Sequence, residues 1–380
     1  MKKIRVLIVA GTMNMGGIEN QLMHLARNAD KTRFCIDFTT TEAHPYFQDE
    51  IEELGGKCLQ IKGTNGFHLY RYCKSLFRVI KEGNYDVVHS HELFHSGIVL
   101  LTARLAGVKS RFVHAHNWTD LNSLNAKRTI KRSIYNWFMR KLIRHNATEF
   151  CACSSYAGIF LYGEKYTHCS NYHLIYNSVD TEKFLNETSD EVNDEFINDG
   201  WENVLHIGRM CLQKDQMFIV EIAKELQERN KRIRILCAGD FSNDYGQNVK
   251  NRINEEFLGN YMKLLGNRAD VDLLFRKCSA FILPSQFEGM PLVLIEAQAT
   301  GIPCVSADTF SHEVDFGIGI IEWLNKNESS KVWADYIEKA LKKSRANKED
   351  ILKAIDKHGF DSRSFTTKLC NLYMKAVNEN

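Results

Sequence analysis

Short apolar stretches rich in Val and Ile, each closing on a small or polar residue, recur along the first half of the chain: Ile4 to Ala10, Phe34 to Thr40, Asp86 to Ser90, Arg111 to Ala115, Glu149 to Ser154 and Leu174 to Tyr176. Between them the apolar positions fall at helical spacing. A strand that is apolar at consecutive positions is buried on both faces, so the alternation predicts a parallel sheet covered by helices on each side. The pattern stops in "NSVDTEKFLNETSDEVNDEFINDGWEN" (177–203), a polar and acidic stretch that reads as a linker with some helix. It then resumes, with strands expected at Val204 to Ile207, Ile233 to Ala238, Met262 to Leu265, Ala280 to Leu283 and Ile302 to Ser306. The expected fold class is α/β, two doubly wound parallel-sheet domains in tandem, at 1–180 and 181–360. The closing stretch "SRSFTTKLCNLYMKAV" (362–377) has Phe365, Leu369, Leu372, Tyr373 and Val377 at helical spacing, and nothing local ties that helix to the second domain.

A chain of 380 residues can bury two cores, and 44% apolar with 25% charged residues is far from the composition of disorder. The net charge of +2 gives no reason to expect a nucleic-acid partner. Eleven cysteines, with no C-x-x-C pair and no zinc-type Cys/His spacing, predict reduced, mostly buried thiols of a cytosolic protein. Sequons begin at Asn117, Asn146, Asn186 and Asn327, but the start "MKKIRVLIVAG" reads as a strand and not a signal peptide, so glycosylation is not expected. The best apolar run, "GIVLLTARLAG" (97–107), is broken by Arg104 and falls short of the roughly 18 residues a bilayer requires. Membrane association is therefore expected to be peripheral. From Leu121 to Thr148 there is no acidic residue, while Lys127, Arg128, Lys131, Arg132, Arg140, Lys141 and Arg144 accumulate beside Trp137. Basic and aromatic residues on a helix suit an anionic membrane surface. The i+4 spacing of Ile130, Ile134, Phe138 and Leu142 equally suits an ordinary core stripe.

Ligands of open parallel sheets lie at the carboxyl ends of the strands, and two such domains facing each other would line one cleft. In "FILPSQFEGMPLVLIEAQATGIPCVSAD" (281–308), three of the chain's four prolines sit at strand and helix boundaries and fix the angle of a loop. Pro291 is expected to open a helix that ends at Gly301. Unpaired N–H groups at such a helix start welcome phosphate, with Glu288 before it and Glu296 inside it. Two carboxylates flanking an anion site suit a nucleotide sugar, with hydroxyls at both ends and phosphates between. "LHIGRMCLQKDQ" (205–216) offers Arg209 and Lys214 just past a strand end, placed to neutralise a diphosphate leaving group. "VAGTMNMGGIENQL" (9–22) lacks the full G-x-G-x-x-G spacing and the acidic residue expected about twenty positions later, which disfavours a nicotinamide enzyme. Gly16 and Gly17 suggest instead a close backbone approach to a ligand. "VHSHE" (88–92) and "VHAHNW" (113–118) each end a strand with paired histidines. Because the members of a pair alternate along one strand and share a face, a metal site is set aside, and His116, last before its loop, is placed to meet a sugar hydroxyl. "DVD" (270–272) reads as a helix start with Asp270 as cap and Asp272 in the first turn, and not as a metal-binding carboxylate pair.

With these residues in view the chain resembles the retaining glycosyltransferases of family 4, which have the GT-B fold, and within them the branch that builds bacterial capsular and exopolysaccharides. The resemblance runs in order through "GGIE", "VHSHE", "VHAHN", "YNSVDTEKF", "IGRMCLQKDQ", "AGD", "LGNRADVDLLFRKCSAFILPSQFEGMPLVLIEAQATGIPCVSAD" and the closing helix. It implies that Glu288 holds donor sugar hydroxyls together with amides near Gly289 and Met290. By the same resemblance Glu296 holds the ribose, Arg209 and Lys214, beyond Gly208, hold the diphosphate, and the Leu292 amide takes a phosphate oxygen. Asn267 and Arg268 should border the base, Gly16 and Gly17 should lie beside donor phosphate and acceptor, and His116 should meet the sugar near its reacting carbon. The implied reaction moves a hexose or N-acetylhexosamine from a nucleotide diphosphate sugar, most simply a UDP-sugar, to a glycan or lipid-linked acceptor, with retention. No cofactor and no metal are expected. The expected setting is the cytoplasm, and the basic and aromatic residues of 127–144 themselves suggest peripheral contact with the inner face of the plasma membrane. The last helix, 361–380, is implied to return to the N-terminal domain. The family's second loop usually carries small or polar residues where Cys211 and Leu212 stand here. Two other readings are an epimerase of similar two-domain fold and a non-catalytic nucleotide-sugar-binding partner.

Overall fold

The computed structural model describes residues 2–62, 69–117, 130–185 and 199–379. Residues 118 to 129, with Lys127 and Arg128, the Asn186 sequon and the middle of the 177–203 segment lie outside the described residues. The chain forms two compact units, Met1–Ser178 with Ser362–Asn380, and Val179–Asp361.

In the first unit seven strands form one sheet: β1 Ile4–Val9, β2 Phe34–Thr40, β3 Cys58–Gln60, β4 Val87–Ser90, β5 Ser110–Ala115, β6 Glu149–Ala152 and β7 Tyr172–Leu174, in the order β3-β2-β1-β4-β5-β6-β7. Every pairing is parallel. The second unit repeats the plan with β8 Glu202–Ile207, β9 Ile233–Ala238, β10 Met262–Gly266, β11 Ala280–Leu283, β12 Cys304–Ala307 and β13 Ile321–Leu324, in the order β10-β9-β8-β11-β12-β13, again all parallel. These are two Rossmann-like sheets, as the pattern of apolar runs predicts. In each, the order reverses beside the first strand, between β1 and β4 and between β8 and β11, and such a switch point opens a crevice at the strand ends.

The first sheet packs one face on the helix Gly17–Asn28 and on the C-terminal helix Ser362–Asn378. Phe365, Leu369 and Tyr373 of the latter are buried in one cluster with Leu22, Leu25, Ile8 and Phe112. Thr366 Oγ1 donates to the His24 carbonyl at 3.2 Å, Lys368 Nζ to that of Leu174 at 2.7 Å, and Ser110 Oγ to that of Ala376 at 3.0 Å. At about 1.5–3 kcal/mol for each large side chain buried, this seam is a major part of the first unit's core. The second unit has its own core around Trp333, Ile219, Ile235 and Ile282.

The helix Ile130–Asn146 departs from the core-stripe expectation. Its buried positions are Met139, Ile143 and Asn146. Ile130, Ile134 and Phe138 are 80%, 59% and 49% exposed, and Trp137 is 56% exposed. The face that docks carries Met139 and Ile143, and to one side of it Arg140 donates to the Phe160 carbonyl at 2.7 Å and Arg144 to the Tyr162 carbonyl at 2.8 Å. None of the eleven cysteines is joined in a disulfide. Among the described residues no helix is long and apolar enough to cross a membrane.

Candidate functional site

The second unit gathers most of the candidate residues on the loops that leave β8 and β11. After β8 the chain turns at Gly208, and a Cβ there would lie 3.0–3.1 Å from the aliphatic stem of Lys214. Glycine thus lets the lysine fold back over the strand end. Lys214 Nζ lies 2.6 Å from Glu288 Oε1, with the two side chains 15% and 9% exposed. The contact falls outside hydrogen-bonding geometry, so it is an ion pair more than a directed bond. Glu288 Oε2 accepts from Gln213 Nε2 at 3.2 Å, and the same amide donates to the Phe287 carbonyl at 3.0 Å. The two charges that the resemblance assigns to adjoining parts of a donor, its sugar and its diphosphate, therefore meet.

Arg209 differs from Lys214. It is exposed, and its guanidinium has no partner among the described residues. Its backbone is held from beneath: Gln216 Nε2 donates to the Arg209 carbonyl at 3.0 Å, and Gln216 Oε1 accepts from the Cys211 amide at 3.2 Å. Gln216 is itself aligned by His206, whose Nδ1 faces the Ile282 carbonyl at 3.2 Å, leaving Nε2 to accept from Gln216 at 3.1 Å. Burial pushes the His206 pKa down to about 3, so the ring stays neutral and keeps that acceptor. Asp215, with φ of 56°, turns the chain into the helix Gln216–Glu228 and accepts from the Gln286 side chain, joining the two loops again. Leu212, one of the residues that depart from the family pattern, is 47% exposed, and the Lys214–Glu288 pair forms beside it.

The helix Leu292–Ala299 is entered from Pro291, which sits one residue before the first helical position. The Leu294 and Ile295 amides return to the Pro291 carbonyl at 3.1 and 3.4 Å. The Leu292 and Val293 amides therefore have no acceptor within the helix, the feature that makes such a start attractive to an anion. Gly289, Met290 and Leu292 are buried beside it.

Glu296 lies within this helix. Burial pushes its pKa up to about 7 from an ordinary 4.5, against the pull of Lys183, with Asp272 raising it further and Lys214 lowering it. Lys183 Nζ is 3.4 Å from Asp272 Oδ1, and an Arg276 guanidinium nitrogen is 3.5 Å from Oδ2. Between about 4.5 and 7 the folded chain holds a proton on Glu296 that the unfolded chain has released, so the stability linked to this group falls as pH rises through that window. Without donor, Glu296→Gln is accordingly expected to melt above the wild type at pH 8, the gap narrowing toward pH 5. A calorimetric melting series across pH checks this, and a gap that does not change with pH contradicts it.

Asn267 is exposed, but Arg268 is engaged. Its Nε and an NH2 nitrogen reach Asp270 Oδ1 and Oδ2 at 2.7 and 2.5 Å. Asp270 precedes the helix Val271–Lys277 as expected, with Asp272 in its first turn, but its side chain accepts from Arg268 and makes no capping bond.

In the first unit, Gly16 precedes the helix Gly17–Asn28 in extended backbone, and a Cβ there would fall on the Glu19 carboxylate. Glu19 Oε1 in turn accepts from Thr12 Oγ1 at 2.8 Å. The chain's own carboxylate thus lies across that helix start beside Gly16, with Gly17 exposed. His116 Nε2 is 2.7 Å from His91 Nδ1, and burial lowers the His116 pKa to about 4. Glu92, just beyond β4, was not singled out from the sequence. Its Oε2 accepts from Tyr72 Oη at 3.0 Å, and burial raises its pKa to about 7 despite that bond. Gln213, Gln216 and His206 were also missed. They are uncharged pins, and only the proximity of two loops distant in sequence reveals them.

Residues 15–183 match the family described as Glycosyltransferase Family 4, and residues 188–357 the family described as Glycosyl transferases group 1. The chain is 32% identical over 380 residues to the putative glycosyltransferase EpsF of Bacillus subtilis (strain 168), covering 97% of this chain and 96% of that one. It is 24% identical to the capsular polysaccharide biosynthesis glycosyltransferase CapH of Staphylococcus aureus, over 98% and 99% of the two chains. The fold matches Anabaena Alr3699/HepE in complex with UDP-glucose, with a TM-score of 0.78 at 17% identity, over 98% of this chain and 100% of that one. Two parallel Rossmann-like sheets and matches that run along nearly the whole chain lead to one assignment: the protein belongs to the family 4 glycosyltransferases of GT-B fold.

Proposed function

We propose that this glycosyltransferase is a retaining enzyme that moves a hexose or N-acetylhexosamine from a UDP-sugar to a glycan or lipid-linked acceptor in surface polysaccharide assembly. The observation that carries this reading is the Lys214–Glu288 pair at 2.6 Å, set on the same turn as the exposed Arg209. Breaking the bond between the sugar's anomeric carbon and the diphosphate leaves negative charge on the phosphate. Fixed cations stabilise that charge most when it is greatest, in the transition state. Arg209 and Lys214 supply them, and the Leu292 amide takes a phosphate oxygen, so the reaction centre has no need of a metal ion. Glu288 accepts from sugar hydroxyls and, by pairing with Lys214, keeps both groups aimed. Glu296 takes the ribose hydroxyls, and Asn267 the edge of the base. His116 meets the sugar beside its reacting carbon, and Gly16 and Gly17 give the acceptor close access to backbone. The acceptor oxygen bonds to the anomeric carbon on the face the diphosphate leaves, and its proton passes to the departing phosphate oxygen. The stereochemistry is tested by incubating the protein with a UDP-sugar and acceptor and reading the anomeric coupling constant by NMR at early times. Retention is expected, and an inverted product overturns the reading. A donor spectrum that changes with no acceptor present indicates an epimerase, and nucleotide binding without turnover of any donor indicates a binding partner.

The setting we assign is the cytoplasmic face of a membrane. Ile130, Ile134, Trp137 and Phe138 stand exposed with Lys131 and Lys141 on the helix Ile130–Asn146, where apolar insertion and attraction to anionic headgroups add. Trp137→Ser with Phe138→Ser is expected to lower binding to vesicles rich in phosphatidylglycerol at least tenfold in a sedimentation assay, with turnover of a soluble acceptor unchanged. Equal binding by the variant removes this helix from the membrane contact.

A further inference from the structure

The parallel register of β4 and β5 sets His89 opposite Phe112 and Ser90 opposite Val113, so His89, His91, His114 and His116 all stand on one face of the first sheet. Along the chain the two pairs lie 25 residues apart. The sheet joins them into one stack, all buried, at 0%, 8%, 1% and 8% exposure in that order. Ring centroids are 4.2 Å apart for His89 and His91, 5.2 Å for His91 and His114, and 4.3 Å for His114 and His116. One ring nitrogen from each of His89, His91 and His114 lies within 4.8 Å of the other two. His89 Nε2, His91 Nε2 and both nitrogens of His114 have no hydrogen-bond partner among the described residues. Buried polar atoms are almost always paired, so a concentration of orphans of one chemical type in one place calls for a ligand.

The outer contacts point to its class. His89 Nδ1 faces Tyr373 Oη at 2.7 Å, and His91 Nδ1 faces His116 Nε2 at 2.7 Å. The Ile175 backbone lies near His114, outside hydrogen-bonding geometry. Imidazoles that bind a metal through one nitrogen are typically oriented by a partner on the other. We propose that His89, His91 and His114 bind one divalent transition ion of the zinc class, through Nε2 of His89 and His91 and one nitrogen of His114, with a fourth position for water. Tetrahedral coordination at about 2.0–2.1 Å requires nitrogens about 3.4 Å apart, so the rings must close inward by small rotations. The ion is separate from the charge compensation supplied by Arg209 and Lys214. Its effect passes through His91: with Nε2 on the ion, His91 keeps its proton on Nδ1 and donates it to His116 Nε2. His116 is then confined to the tautomer with its proton on Nδ1. That consequence rests on the transferase reading, whereas ion binding does not, and it is tested without turnover.

The full chain is stripped with chelator and titrated with Zn2+ and, as a spectroscopic probe, Co2+. One tight equivalent by elemental analysis is expected, with visible cobalt d–d bands and no thiolate charge-transfer band. Tyr373→Phe keeps the packing but removes one outer partner, and is expected to weaken the site ten- to hundred-fold. His114→Phe is expected to abolish it. Absence of a tight equivalent, a thiolate band from one of the cysteines, or unchanged affinity in His114→Phe overturns the proposal. Unchanged affinity in Tyr373→Phe overturns it even where His114→Phe fails to fold.

Discussion

Glu288→Gln is expected to lower kcat/KM for sugar transfer by a hundred- to ten-thousand-fold. Each charge-assisted hydrogen bond to a donor hydroxyl contributes about 1.5–3 kcal/mol, and a carboxylate at this position can make two. The substitution preserves shape and can keep the Gln213 contact, so what it removes is charge. It also leaves Lys214 without the partner 2.6 Å away, at a site where both side chains are largely buried. Breaking such a pair from one side typically costs about 3–5 kcal/mol, so the variant should also unfold at a lower temperature. Kinetics measured well below that temperature separate the two effects, since a merely unstable variant regains its rate on cooling. Activity within threefold of the wild type under those conditions would remove Glu288 from the reaction.

The strands were readable because a strand buried on both faces leaves a continuous apolar run, and β11 at Ala280–Leu283 lies where that run predicts it. The strands that went unread are β3, three residues at one edge, and β13, at the edge of the second sheet, where alternation is too brief to register. Periodicity also cannot say which face of a helix is covered. In Ile130–Asn146 most of the apolar stripe faces outward, because the covered face is the one that carries Met139, Ile143 and Asn146. The site shows the same division. Arg209, Lys214, Glu288 and Glu296 stand out by charge and by position after a strand, but their pairing depends on loops some seventy residues apart meeting at adjacent strand ends. Arg268 illustrates the limit: an arginine two residues before a carboxylate closes on it locally, which no motif announces. The histidine stack depends in the same way on the register between two strands.

Arg209 and Lys214 are both cations of one loop, yet their removal should be felt differently. Arg209→Ala takes away an exposed guanidinium with no partner among the described residues, so the melting temperature should not move by more than about a degree or two. If that guanidinium meets the diphosphate, kcat/KM falls about ten- to hundred-fold, with the loss in kcat as well as in KM because the contact strengthens as charge develops. Lys214→Met keeps the aliphatic stem that packs over Gly208 but leaves Glu288 buried with one neutral partner, Gln213. Here stability should drop by about 3–5 kcal/mol and the rate by at least as much as for Arg209→Ala. Combining Lys214→Met with Glu288→Gln should restore much of the lost stability, because neither charge is then stranded, while transfer stays low. Thermal melts and steady-state kinetics on the four proteins form a double-mutant cycle whose two readouts should part: stability recovers in the double variant, and rate does not. A double variant that recovers transfer would make the pair a structural strut and leave the leaving-group charge to Arg209 and the helix start at Leu292.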